Sequence, residues 1–239
     1  IHTIAGTGIA SYSGDDEAAT SASLNNPRGL VFDAVGNLHI SDSGNYRIRQ
    51  ISTDGTITTA AGTGEIGYSS DDTLATDAKL LAPDGLLLDD EGRLLFPQMS
   101  HNVVRRIEEN GSLTTVAGAL NSNELTWPNV LAMDEQHNLF VGDYSGVKAV
   151  AIDGSIQTLV SYPSGHGDIE FDPVGNLYIS SNNRIKLLQN SGELKTVIGS
   201  QQENGGEVLS QGVSHMLFDS IGNLFVADSG NHQVLKVSF

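Results

Sequence analysis

The chain has 239 residues, carries 12 basic against 29 acidic side chains for a formal charge of −17, and contains no cysteine. A field of that sign repels phosphate backbones and argues against nucleic acid as a partner, leaving cationic partners, a divalent metal or solubility alone as its use. Without cysteine there is no disulfide framework, thiol nucleophile or thiolate metal site, and no apolar run reaches the roughly 18–20 residues that cross a bilayer.

The chain opens with IHTIAGTG at residues 1–8, with no Met and no signal-type apolar stretch, which predicts a processed or trimmed product. A polar loop, TGIASYSGDDEAATSASLNNP, leads into Pro27 to Gly62, where three apolar runs and a Thr-rich run are separated by the turn signals DAVGN, DSGN and STDG. A second loop, TGEIGYSSDDTLATDAKLLAP, resembles the first and leads into the next copy. The anchor DAVGNL at Asp33–Leu38 recurs as DDEGRL at Asp89, DEQHNL at Asp134, DPVGNL at Asp172 and DSIGNL at Asp219. In each, Asp ends one strand and can accept the backbone N–H groups of the turn, while Gly supplies the positive φ of a tight hairpin. His137 replaces that Gly in the third copy, and strain or a longer turn is expected there.

Each anchor lies between two strand-like runs, as in GLVFD and NLHIS, and is followed by a third such as YRIRQI and a fourth such as TITTAAG. Four antiparallel strands per unit make the blade of a β-propeller. The fifth copy stops after its third strand, HQVLKVSF, and residues 1–8 match the fourth-strand run TITTAAGTG. The expectation is an all-β, five-bladed propeller forming a single domain over 1–239, with blades near 27–62, 83–118, 128–161, 166–199 and 213–239. Residues 1–8 are expected to close the ring as the outer strand of the last blade, hiding sheet edge that would otherwise stay exposed.

The unit P-x-G-[LV]-x-x-D-x-x-G-N-L-x-[IV]-[SA]-D-S-G-N-x-x-[IV] resembles the NHL repeat, and the loop SYSGDDEAATSASLNNP looks like the linker of bacterial NHL-repeat proteins. The first and fifth copies match best. The resemblance implies a propeller serving as a binding scaffold, in a secreted or periplasmic bacterial protein. Similar propellers also carry the amidating lyase, regucalcin-like gluconolactonases and strictosidine synthase, so fold alone assigns no activity. Against the lyase pattern, whose histidines follow the proline of the loop, His166 here aligns with the proline itself and His215 lies two positions past it.

In a propeller, ligands sit on the face shared by the loops leading into the first strands and those joining second to third strands. The lead-in loops read Pro27-Arg28-Gly29, Pro83-Asp84-Gly85, Pro128-Asn129-Val130, His166-Gly167-Asp168 and Val213-Ser214-His215. In the second loops Asp42, Asp143 and Asp228 are kept, Gln98 and Ser181 replace their counterparts, and His101 stands where Asn45 and Asn231 do. A local rule kept in some copies and broken in others marks where function is expected. The candidate ligand contacts are Arg28, Asp84, Gln98, Asn129 and Ser214.

The candidate metal ligands are His101, His166, Asp168 and His215, with Asp84 nearby. Imidazole and carboxylate suit zinc, whose catalytic sites need three protein ligands and an open position. Calcium is raised by Asp15-Asp16 and Asp71-Asp72, but their spacing lacks the alternating donors and Gly of an EF-hand, so bracing of the loops is the expected role. Arg47, Arg49, Arg105 and Arg106 on third strands are expected to pair with the acidic surface. Trp127, the one Trp, either anchors a ligand or packs a blade junction. No nucleophile elbow, phosphate-binding Gly-Lys-Ser loop or H-E-x-x-H helix is present.

The leading expectation is a non-enzymatic, monomeric binding scaffold for a protein, peptide or glycan; the alternative is a metal-dependent lyase or hydrolase at the channel mouth.

Overall fold

The computed structural model describes residues 2–120, 122–161, 167–181, 183–189, 191–199, 209 and 213–238, apart from the side chain of Ser214. Contacts divide the chain into two compact units, Ile1–Asn129 and Val130–Phe239. The first unit holds two sheets. One contains β1 (Glu17–Ala18), β2 (Pro27–Phe32), β3 (Leu38–Asp42), β4 (Arg47–Ile51) and β5 (Thr56–Ala61); the other contains β6 (Leu87–Leu88), β7 (Leu94–Gln98), β8 (Val103–Ile107) and β9 (Leu113–Ala117). The second unit holds three. They are β10 (Val130–Met133), β11 (Leu139–Asp143), β12 (Gly146–Val150) and β13 (Ile156–Ser161); β14 (Ile169–Phe171), β15 (Leu177–Ser181), β16 (Arg184–Leu188) and β17 (Leu194–Ile198); and β18 (Val213–Phe218), β19 (Leu224–Asp228) and β20 (Gln233–Val237). Strands neighbour one another in chain order and pair antiparallel, and the architecture is a five-bladed β-propeller. No helix among the described residues is long and apolar enough to cross a membrane.

The anchor aspartates do what their turn chemistry predicts. Asp33 Oδ1 accepts the backbone N–H groups of Val35 and Asn37 at 3.1 and 2.8 Å, and its Oδ2 accepts Asn37 Nδ2 at 2.8 Å. The same bonds recur at Asp134, Asp172 and Asp219, and at Asp89 with Arg93 in place of the Asn. Gly36 takes φ +93°, and His137, at the same turn position, is held at φ +63°. Burial alternates with the pleat: Ile48, Ile57, Leu80 and Leu113 are sealed in the first unit, Val147, Ile169, Ile179 and Ile185 in the second. Each such side chain contributes about 1.5–3 kcal/mol on leaving water.

The first four blades each carry a register shift at one place between their third and fourth strands, after Ile48, Val104, Val147 and Ile185. The residue after the shift is Arg49, Arg105, Lys148 or Lys186. Arg49 and Arg105 pair with acidic loop residues, as expected, but from wholly buried positions. The two long loops explain how. Asp15 Oδ1 accepts Arg49 at 2.6 Å while its other oxygen accepts Thr59 Oγ1 and Tyr12 Oη at 2.7 and 2.8 Å. In the next copy Asp71 accepts Arg105 and Thr115 at 3.1 and 2.8 Å. Tyr12 and Tyr68 lay their rings 4.9 and 5.0 Å from the two guanidinium carbons. The SGDD and SSDD turns are therefore braces, as their spacing suggested, and each loop also pairs with the fourth strand that follows it.

The expected closing strand takes a different form. Residues 2–8 carry no strand, and the sheet of β18–β20 has three strands among the described residues. The end of that segment is fixed to the following loop instead: Gly6 N–H donates to the Ala19 carbonyl at 3.0 Å, as Gly62 does to Ala75 at 2.8 Å, and Thr7 bonds Ser23.

Candidate functional site

Most conspicuous polar groups of the lead-in and second loops are engaged in holding the fold. Asp42 is buried, which raises its carboxyl above the usual range, and it accepts Asn25 N–H and Asn45 Nδ2 at 2.7 Å each. Asp143 accepts the backbone and hydroxyl of Ser145, and Asp228 accepts Asn231 Nδ2. Arg28 and Asp84, both candidate ligand contacts, pair with each other at 2.8 Å.

Two other predicted contacts are not so engaged. Gln98 replaces the Asp of the second loop, and its Oε1 meets His101 Nδ1 at 3.0 Å, so this pair substitutes for the Asp42–Asn45 cap. Its Nε2, however, is buried without a hydrogen-bond partner among the described residues, and so is Asn129 Oδ1. His101 also lies edge-on to Tyr68 at 5.5 Å, and burial first, then the Arg105 charge, holds its imidazole below the usual range.

Between Gln98 and Asn129 in sequence stands the second feature of this face. The residues before the three lead-in prolines, Asn26, Ala82 and Trp127, share φ values of +51°, +43° and +52°. Asn accepts left-handed backbone readily; for a bulky aromatic it is an outlier of the kind found at functional positions. Trp127 is held there by its N–H donating to Asn102 Oδ1 at 2.9 Å, and it stays 50% exposed.

The second unit holds a different arrangement. Aligned on the anchors, Gly29, Gly85, Val130, Asp168 and His215 occupy one register position of the five first strands. At Gly29 a Cβ would lie 2.5 Å from the Asp84 carbonyl oxygen, so the absence of a side chain is what lets the backbones pass. Just before β14 and on β18 side chains span the gap instead. Asp168, only 4% exposed, accepts Met216 N–H on Oδ2 at 2.6 Å and Ile169 N–H on Oδ1 at 3.0 Å. Its own N–H donates to Ser180 Oγ at 2.7 Å. Two positions on, the Glu170 carboxyl accepts the Phe218 N–H.

Asp168 Oδ2 also meets His215 Nδ1 at 3.0 Å, while the His215 side chain is 68% exposed. That hydrogen bond raises the imidazole above its ordinary value against the opposing effect of burial. Glu170 is pushed up to about 7, by burial first and then by the Asp168 charge. Sequence reading named Asp168 and His215 but missed Glu170; its signal was an acid where the other first strands carry Val31, Leu87, Ala132 and Leu217.

Of the predicted metal ligands, Asp168 and His215 are brought together, and His166 lies outside the described residues, as does the side chain of Ser214. Asp168 accepts an N–H group on each oxygen and meets His215 Nδ1 through Oδ2, the arrangement of a carboxylate that orients a histidine. Among the described residues three potential ligands converge only at Asp89, Asp90 and Glu91, an anchor turn whose Asp89 and Glu91 pair with Arg93.

The described residues define a five-bladed β-propeller. No protein-family model matches the chain. It is similar to Teneurin-1 of Mus musculus, 24% identical over 252 residues that cover 95% of this chain and 8% of the teneurin, a small part of that protein's length. Among solved structures it is similar to virginiamycin B lyase from Staphylococcus aureus, with TM-score 0.62 and 17% identity over 88% of this chain and 69% of that one. It is also similar to a chain of the nidogen/laminin complex, with TM-score 0.66 and 18% identity over 88% and 75%. A third likeness is to the extracellular domain of a hybrid two-component system of B. thetaiotaomicron, with TM-score 0.69 and 11% identity over 93% and 28%. These likenesses show the fold, which is used by an enzyme and by a protein found in a complex alike.

Proposed function

We propose that the chain is an NHL-type propeller module of a secreted or periplasmic bacterial protein, binding a protein, peptide or glycan through the face that carries Trp127. The observations that carry this reading are a half-exposed aromatic held in left-handed backbone, Trp127, and a buried donor and acceptor, Gln98 Nε2 and Asn129 Oδ1, that have no hydrogen-bond partner among the described residues. Rigid aromatics flanked by a few unsatisfied polar groups are the anchors of binding surfaces. The similarity to a stretch of a teneurin, to a nidogen/laminin chain and to an extracellular domain supports a binding role outside the cytoplasm.

Trp127 is the sole tryptophan, so its emission reports directly on this loop. Glycan and peptide arrays probed with the purified chain and with Trp127→Ala test the reading. Ligands that bind the parent should shift its fluorescence and lose at least about tenfold in affinity for the variant, as expected of an aromatic hot spot. Array ligands bound equally by both proteins, with no change in emission, would refute it.

A further inference from the structure

We propose that Asp168 and His215 form a general-base pair that drives water onto the carbonyl of a neutral, activated ester, an activity beyond the binding role of Trp127. Three features of β14 and β18 carry it. Asp168 is buried and held by N–H groups on both oxygens, so it cannot turn away from the imidazole. Its contact with Nδ1 places the ring proton on that nitrogen, which leaves the Nε2 lone pair as the basic site on a side chain 68% exposed to water. Among the described residues His215 has no hydrogen bond to a Ser, Thr or Tyr hydroxyl, so water is the nucleophile available to it.

The step is a simple hydrolysis. His215 Nε2 takes a proton from water as the water oxygen bonds to the carbonyl carbon, and Asp168 stabilises the imidazolium that forms. The tetrahedral adduct then collapses, its C–O bond to the alcohol breaks, and the departing alkoxide takes the proton back from Nε2. Ester and water become acid and alcohol, and the pair returns to its starting state. His215 is the catalytic residue and Asp168 a positioning residue.

Substrate class follows from the field. The charged groups facing His215 are Asp168 and Glu170, both from the neighbouring first strand, in a chain of net charge −17. Phosphoesters and carboxylates are repelled there, and an uncharged carbonyl is not. Without an electrophilic ion in the step, only an ester with a good leaving group is within reach of a base alone.

The test is hydrolysis of p-nitrophenyl acetate by the whole chain, compared with equimolar imidazole, with and without EDTA. The expected result is a rate at least about tenfold above imidazole, the modest end of general-base catalysis. It should be unaffected by EDTA and lost in His215→Ala. The pH profile supplies a readout that a structural role would not move. Its inflection should lie above the ordinary imidazole range and drop in Glu170→Gln, which removes a neighbouring negative charge. Asp168→Asn should lower both rate and inflection, and the His215 and Glu170 variants stand as tests if that protein does not fold. A rate no greater than imidazole, or one retained in His215→Ala, would overturn the proposal, and loss of the rate in EDTA would replace the water–imidazole step with metal chemistry.

Discussion

Asp15 Oδ1 lies 2.6 Å from an Nη of Arg49, and this contact joins a surface loop to the one wholly buried guanidinium of the first blade. The relationship is repeated one blade later by Asp71 and Arg105 at 3.1 Å. A cation so placed needs its partner, because removing one member leaves an uncompensated buried charge. Burial alone would raise the Asp15 carboxyl, yet the Thr59 and Tyr12 hydrogen bonds and the Arg49 charge hold it below the ordinary carboxylate range.

Asp71→Ala should therefore destabilise more than Asp15→Ala. Arg49 keeps a second carboxylate, Asp42, at 3.7 Å, whereas Asp71 is the one carboxylate paired with Arg105 among the described residues. Losses of about 2–3 kcal/mol for Asp15→Ala and about 3–5 for Asp71→Ala are expected in urea titrations. The reverse order would mean that the loops are held by something other than these pairs.

His137→Gly should stabilise the chain. Left-handed backbone costs a residue with a Cβ about 1–2 kcal/mol, partly offset by the greater freedom of glycine when unfolded. A net gain of about 0.5–1 kcal/mol should appear as a higher denaturation midpoint, and a loss would show that the imidazole makes up for its strain.

Gly29→Ala should cost about 1–3 kcal/mol, the range of overpacking at a site with no room. Its Cβ would meet the Asp84 oxygen at 2.5 Å and the Leu86 nitrogen at 2.8 Å, both backbone atoms that cannot swing aside. Unchanged stability by thermal melting would show that the two first strands can separate freely.

The contributions of Glu170 and His215 to stability should fall as pH rises from about 4.5, against an opposite contribution from His101, whose imidazole is held low. Glu170, raised by burial and by Asp168, binds more protons folded than unfolded between about 4.5 and 7, so its contribution is full below 4.5 and lost through 7. His215, raised by its bond to Asp168, acts in the same direction, present below 6.5 and lost as pH climbs through its higher folded value. The carboxylates held low, such as Asp33 and Asp219, weaken the fold only at more acidic pH. The difference between parent and Glu170→Gln should be on the order of 1–3 kcal/mol between pH 4.5 and 8. Parallel pH profiles for the two proteins would count against the assignment.

The blades were legible in the sequence because everything that makes a blade is local. Alternation in GLVFD and NLHIS sets which side chains are buried, and the Asp33-to-Asn37 turn closes with bonds spanning at most four residues. The repeat serves as a ruler, with departures at His101, His166, Asp168 and His215; of these, Asp168 and His215 meet each other, His101 meets Gln98, and His166 lies outside the described residues. What only the tertiary structure decided are contacts over long stretches of chain. Asp168 reaches Met216 and His215 on another blade, Asp15 reaches Arg49 across its loop, and Trp127 is fixed by Asn102. The local pattern marks Asp172 as an acid that caps its own turn, but it does not say that Asp168 orients a histidine of the next first strand. That role comes from where packing brings the neighbouring strand, since a carboxylate takes whichever donors the fold sets within about 3 Å of it.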